Sequence, residues 1–426
     1  VPKAMRSPCP RDHPAARGTL VVIRALWHLR GMKPVWSFLL RVVPLACAGG
    51  VMALSNALWA EEDRPRHFRF YGHFSPTILG VDDGVDTYGN AADNSNSGGR
   101  IGLWFTNPVG QNTLKFNLEV GLGVRQSASI NQIYEPPLID FDSQTLRKAE
   151  VIYETPRWGT FSIGQGNMGS DGVAESDLSG TGLASYVGIA DTAGGFLFRT
   201  KAGTLSSVSI RQAFPTFDGG RSQRIRWDSP EIKFGVLGSL RFAGSIGQED
   251  IDRNVALNEA LQDMGLFYRN SVGQFALAGS AGLSAVDDPL AGTVPQVAGS
   301  FSLLHHPTGI NGTVAAGSRD GAGEYAYFKL GVKRDFFGIG NSAFALDLYE
   351  SFDTVGAGSR AESVGFGLVQ TVDRWNTDFF VGFRKHRYWD SGAVRYRDVD
   401  SIMFGVRWQF RRLEQHRSVF EGLWES

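Results

Sequence analysis

The sequence predicts an all-β fold, a transmembrane antiparallel β-barrel of 16–18 strands, and three observations carry that prediction. Long runs alternate apolar and polar residues at period two, short turns and longer loops follow them in turn, and an export address precedes them. Composition agrees. Of 426 residues 53 are glycine, 42% are hydrophobic and 12% are aromatic, which fits neither a disordered chain nor a collagen repeat. After residue 60 no uncharged apolar stretch reaches the ~18 residues a membrane helix requires.

The address comes first. Residues 1–60 hold eight Lys/Arg against one acid, Asp12, so residues 61–426 carry a net charge of −8 and a nucleic-acid partner is not expected. Met32-Lys33 opens a basic start, an apolar stretch covers 42–54, and small residues allow cleavage after Ala57 or after Ala60. That order is the secretory pattern. It divides the chain into an upstream extension (1–31), a signal peptide (32–60), a barrel (61–410) and a C-terminal periplasmic tail (411–426). A lipoprotein reading through Cys47 is disfavoured by Pro44, where an aliphatic residue is usual. Cys9 and Cys47 are the only cysteines, so the chain after residue 60 has no disulfide, zinc-thiolate site or cysteine nucleophile.

The barrel strands follow. Leu114, Phe116, Leu118, Val120, Leu122 and Val124 share one face, with Lys115, Asn117, Glu119 and Arg125 on the other. A helix would return its apolar stripe at three and four residues, so this run is a strand. The last run is similar, with Ile402, Phe404, Val406, Trp408 and Phe410 opposite Ser401, Met403, Gly405, Arg407 and Gln409. Ile232-Phe234-Val236, Val364-Phe366-Leu368 and Phe379-Val381-Phe383 repeat the pattern between them. Opposite faces rich in Gly, Ser, Lys and Arg suit a barrel with lipid outside and water inside better than a sandwich with a packed core.

Turns are expected at Asn107-Pro108-Val109-Gly110, Pro156-Arg157-Trp158-Gly159, Ser229-Pro230, Ser271-Val272-Gly273, Pro307-Thr308-Gly309, Gly338-Ile339-Gly340 and Asp373-Arg374-Trp375-Asn376. Long connections are expected at 82–99, 126–144, 167–194 and 246–260, in strict alternation with the turns. Aromatics beside turns, among them Trp158, Trp227, Phe336, Phe337 and Trp375, suit an interfacial girdle. Counting runs from Phe68 to Phe410 yields about 18 candidate strands, fewer by two if the short runs 195–200 and 206–212 are merged or misread. A barrel of that size encloses an aqueous channel.

Residues 147–181, RKAEVIYETPRWGTFSIGQGNMGSDGVAESDLSGT, resemble the segment of Gram-negative general diffusion porins in which two strands and a tight turn lead into an infolded third loop. Tyr71-Gly72 and the Phe-terminated last run resemble the two ends of those barrels. One departure stands out: Gly164 is followed by Gln165 where porins commonly carry Arg. The resemblance implies an infolded constriction loop presenting Asp171, Glu175 and Asp177, and a charged eyelet that filters solutes by size and charge. Period-two parity points Arg100, Lys115, Arg125, Arg211, Arg224 and Arg226 into the lumen as basic wall residues. Charge on the lipid face would cost ~2–4 kcal/mol near the midplane. The resemblance puts Arg147 at the family position on the fourth strand, whereas the parity of Ala149, Val151 and Tyr153 would turn it outward, which leaves its orientation open. Tyr349 and Tyr388 face inward.

No HExxH pair, GxSxG elbow or phosphate loop is present, and His305-His306 abuts a turn, so no enzyme and no cofactor are expected. The expected function is a passive channel for small hydrophilic solutes and ions. The alternatives are a substrate-selective channel and a barrel whose external loops bind a surface partner. The resemblance further implies an outer-membrane setting among lipid and lipopolysaccharide, a homotrimer, and recognition of the terminal aromatic, Phe410, by the outer-membrane insertion machinery.

Overall fold

Alternation along the chain becomes the two faces of one closed sheet. The computed structural model describes residues 67–248, 260–288 and 292–410. The barrel has 16 staves. β1 (His67–Phe74) and β2 (Pro76–Asp82) make the first, and β3 (Thr87–Asp93) and β4 (Arg100–Val109) the second. β5 (Asn112–Gly121), β6 (Leu146–Thr155) and β7 (Gly159–Asn167) follow. β8 (Leu197–Arg199) and β9 (Leu205–Ser209) pair only with each other, outside the barrel wall. β10 (Arg221–Asp228) continues into the two-residue β11 (Ile232–Lys233). Ten further staves are β12 (Ser239–Gln248), β13 (Ala260–Val272), β14 (Phe275–Asp288), β15 (Gly292–His305), β16 (Ile310–Arg319), β17 (Glu324–Arg334), β18 (Ser342–Phe352), β19 (Arg360–Val372), β20 (Thr377–Trp389) and β21 (Val399–Phe410).

All pairings between staves are antiparallel, and β21 returns to β1 and β2 in one register, from Gly72↔Phe410 to Asp82↔Asp400. Closure leaves no free sheet edge. Burial follows parity. Phe116, Leu118, Val364, Phe366, Leu368, Phe379, Val381, Phe383, Ile402 and Phe404 are exposed on the outer face, while Asn117, Glu119, Ser401 and Met403 are buried inside. Six of the seven expected turns join staves at the same end, where Trp158, Trp227, Phe336, Phe337 and Trp375 stand exposed as an aromatic rim, whereas Ser229-Pro230 only interrupts one stave between β10 and β11, and the reversal into β12 comes at 234–238.

Four other expectations need correction. The runs 195–200 and 206–212, counted as candidate strands, are the β8–β9 hairpin and its flanks, which leaves 16 staves, within the expected 16–18. Segments of three and five residues are too short to span, and Phe196, Phe198 and Ile210 are buried within a loop core instead. Of the expected run Ile232-Phe234-Val236 only Ile232 lies in the wall, on β11, because the chain then reverses through a 3-10 turn at Gly235–Leu237 with positive-φ Gly235 and Gly238. The connection expected over 82–99 is a tight turn at 83–86 followed by β3, with an interruption at 94–99. Strict alternation of short and long connections also fails. Residues 320–323 at the loop end form a shorter link than 335–341 at the turn end.

The last stave ends on an aromatic cluster. Phe410 packs against Phe74 at 5.7 Å and Trp408 at 5.9 Å between ring centroids. Its ring also occupies the space a side chain would take at Gly72, so that position on the closing seam must lack a Cβ. The expected address (1–60) and tail (411–426) lie outside the described residues. Phe410→Ala is expected to reduce the yield of folded, heat-modifiable barrel severalfold, whereas deletion of 411–426 should leave it unchanged. Gel mobility before and after heating measures both, and the reverse pattern would mean that the terminal stave is misplaced.

Candidate functional site

β7 pairs directly with β10, from Thr160↔Asp228 to Asn167↔Arg221, so the 168–220 segment between them leaves the wall as one long loop. The expected constriction over 167–194 is thus only its first half. The loop folds into the lumen and packs against the inner wall, stave after stave. At its root Asp263 on β13 accepts bonds from Gly169 N at 3.0 Å, Ser170 N at 2.7 Å and Ser170 Oγ at 2.7 Å. Ser280 and Ser300 donate to Val173 O at 2.9 and 2.8 Å, and Ser302 Oγ accepts from Leu178 N at 3.0 Å. Asn94 and Asn96 then reach Leu183 O at 2.8 and 3.0 Å.

Beyond this the loop forms the short helix α1 (Ala190–Ala193), the β8–β9 hairpin, and α2 (Ile210–Ala213), which Ser209 and Gln212 cap reciprocally. The hairpin lies against both strands of the closing seam at its loop end. Arg199 pairs with Asp83 at 2.6 Å and Asp86 at 2.9 Å beside the first stave, while Lys201 N donates to Arg395 O and Arg199 O accepts from Arg397 N, both at 2.7 Å, tying the hairpin to the loop preceding β21. Phe196, Phe198, Ile210 and Phe214 form a core with Tyr325, Tyr349 and Tyr388 of the wall. Tyr349 and Tyr388 therefore face inward as expected, but they pack the loop and do not line open space. Phe198 lies 5.4 Å from Tyr388, and Phe214 lies 5.3 Å from Tyr349.

Inside remains a cavity of about 920 Å³. Its acidic side is the loop: Asp171, Glu175, Asp177, Asp191 and Asp218. Its basic side comes mainly from the staves and is led by Arg100, Arg147, Arg221 and Arg407. The three expected acids are therefore brought to one cavity, but they are not equivalent. Asp177 is held by Lys329 Nζ at 2.6 Å. Burial pushes its carboxyl up, and Lys329 together with the Ser179 donors outweighs burial, leaving it below the usual range. Asp171 and Glu175 sit beside Asp218. Burial holds all three up, and repulsion from neighbouring carboxylates adds to it for Glu175 and Asp218; Asp218, with Asp171 as its charged neighbour, reaches about 8. Arg221, Arg226, Lys148 and Arg147 pull Asp171 the other way.

The expected wall bases divide as well. Arg100 lines the cavity, 3.7 Å from Glu119. Lys115 pairs with Glu154 at 2.6 Å and lies away from the cavity lining. Arg224 pairs with Glu150, and Arg226 pairs with Asp228 at 2.8 Å and donates to Met168 O at 2.6 Å, so both brace the root of the loop. Arg125 is not on a stave, because β5 ends at Gly121 and the chain turns at positive-φ Gly123. It binds Glu135, Pro136 O and Ala91 O in the loop region instead. Arg211 belongs to α2 of the infolded loop, lines the cavity from there, and donates to Ala128 O at 3.0 Å.

Arg147, left open by the sequence, is settled against parity. Parity would send it outward, yet it lines the cavity and pairs with Glu119 at 2.6 Å. The register shifts by one between Glu119 and Val120, where β6 presents an extra residue, and that bulge turns Arg147 in. Gln165, where porins commonly carry Arg, is buried on β7, and the guanidinium groups come mainly from β4, β6, β10 and β21 instead. Arg221 and Asp218 escaped the sequence reading. Their signal was an acid and a base flanking Gly219-Gly220 at the end of a polar stretch. Among the described residues no group of three His, Cys, Asp or Glu is placed to hold a metal.

No protein-family model matches the sequence, and no curated protein matches it either. The likeness lies in solved structures. An anion-selective porin from Comamonas acidovorans aligns over 81% of this chain and 100% of its own, with TM-score 0.51 and 14% identity. OprB of Pseudomonas putida aligns over 80% of this chain and 94% of its own, with TM-score 0.52 and 8% identity. The outer-membrane channel DcaP of Acinetobacter baumannii aligns over 82% and 99%, with TM-score 0.50 and 12% identity. At these identities the likeness is one of fold, and the chain has the fold of outer-membrane β-barrel channels.

Proposed function

We propose that this chain is an outer-membrane porin, a water-filled channel for passive diffusion of small hydrophilic solutes and ions. The observation that carries the reading is the infolded loop, which leaves a cavity of about 920 Å³ lined by loop carboxylates and by guanidinium groups drawn mainly from the staves. Opposed charges across a narrow space orient water and sort solutes by charge as well as size. An apolar outer face and a closed seam supply the membrane-spanning wall. The outer membrane with its lipid and lipopolysaccharide is the proposed setting, and a homotrimer assembled by the insertion machinery is the proposed form. An aromatic track for one substrate finds no support, since Tyr325, Tyr349 and Tyr388 are buried beneath the loop.

Reconstitution into planar bilayers is expected to produce discrete, ohmic conductance steps that close little at low voltage. A barrel shown intact by its gel mobility, yet giving no steps, would defeat the reading and favour a blocked barrel with binding loops.

A further inference from the structure

We propose that Lys329 is the positioning residue of the constriction, a cationic latch that holds the acidic part of the infolded loop at a fixed distance from the opposite wall. The inference rests on the channel reading. Lys329, on β17, is fully buried, and every acceptor on its ammonium belongs to the loop. Asp177 Oδ2 lies at 2.6 Å, Ser185 O at 2.7 Å, Thr181 Oγ1 at 3.0 Å and Ser179 Oγ at 3.2 Å. One side chain thus gathers four residues of 177–185, directly downstream of Asp171 and Glu175. No strand ladder does this work, because the loop pairs with no stave here.

The neighbouring wall explains why the ammonium is free for the loop. Asp347 is the cross-strand partner of Lys329 and would be its natural counter-ion. Arg384 takes Asp347 instead, through bonds of 2.7 and 2.8 Å. To do so it reaches across β19, where the residue in the same row is Gly365. A Cβ there would lie 2.5 Å from Arg384 Cζ and 2.6 Å from Asp347 Oδ1. Asp347 also accepts from Ser185 Oγ, so the second ion pair grips the same loop segment. Gly367 and Gly382 complete the seat, since side chains there would strike Ser185 and Ala184. A glycine gap, an Arg–Asp pair and a lysine left to the loop make one device.

The test separates the latch from the channel. Lys329→Met is compared with wild type in planar bilayers, after gel mobility shows both barrels folded. The variant is expected to flicker, with at least tenfold more closures per second, and to change its reversal potential in a salt gradient. Ser176→Cys with Ser280→Cys, whose hydroxyls lie 2.6 Å apart, should form a disulfide that quietens Lys329→Met until reductant is added. A second readout needs no conductance. With Cys9 and Cys47 replaced by Ser, Leu183→Cys should react with a maleimide at least tenfold faster beside Lys329→Met than beside Lys329. Should Lys329→Met fail to fold, Ser179→Ala with Thr181→Val removes two acceptors and should produce the same flicker and labelling. A folded variant as quiet and as protected as wild type overturns the latch, as does noise that persists with the disulfide formed. A silent wild type with the labelling difference present would defeat the channel reading alone.

Discussion

Replacing Asp171 with Asn and Glu175 with Gln together is expected to move the reversal potential towards anions, and to do so more at pH 9 than at pH 6. Both carboxylates line the cavity, and neither accepts a hydrogen bond from a described residue, so the exchange removes charge without breaking a brace. The pH dependence follows from the raised carboxyls. An acid whose pKa is raised stays protonated further up the scale, and it becomes negative only as pH climbs through the raised value. Asp218 does so at about 8, with Asp171 raised beside it by burial and Glu175 raised by burial and by repulsion from its acidic neighbours. Wild type should therefore become more cation-preferring between pH 6 and pH 9, and the double variant should keep only part of that change. Of the ~59 mV that a tenfold gradient offers a perfectly selective monovalent pore, a shift on the order of 10 mV is expected at pH 9. A wild-type reversal potential that ignores pH would show these groups to be fully hydrated. Asp177 is left out of the exchange because its loss would also release Lys329.

Glu119→Gln should produce the second large effect, and it differs in kind. Glu119 is buried, accepts from Arg147 Nε at 2.6 Å and Tyr71 OH at 2.8 Å, and stands 3.7 Å from Arg100. It is the carboxylate shared by two guanidinium groups, with Arg221 close by on the cavity lining. Removing one partner of a buried ion pair costs about 3–5 kcal/mol, because the charges left behind remain desolvated and now repel each other. Heat-modifiable mobility should be lost at a clearly lower temperature than in wild type, and the surviving channels should prefer anions more strongly. The Asp171/Glu175 exchange should leave that temperature unchanged or raise it. A Glu119→Gln barrel as heat-stable as wild type would mean that lumen water screens the cluster.

By themselves, the period-two runs and the turn residues between them determined the barrel, its outer and inner faces, six of its turns and the closing stave at Phe410. That information is local: successive side chains in a strand point to opposite faces whatever the rest of the chain does. Tertiary structure alone decided the constriction. Arg147 faces inward because β6 carries a bulge against β5, and alternation cannot show where a register slips. Arg211 left the wall for the loop because the 168–220 segment has no strand period to place it. Asp177 found its counter-ion 152 residues away on β17, and Asp218 came to rest beside Asp171 because its oxygens accept from Gly172 N at 2.9 Å and Ala174 N at 3.0 Å. A loop with only short local elements takes its position from the wall it packs against, and most of that wall is encoded downstream of it.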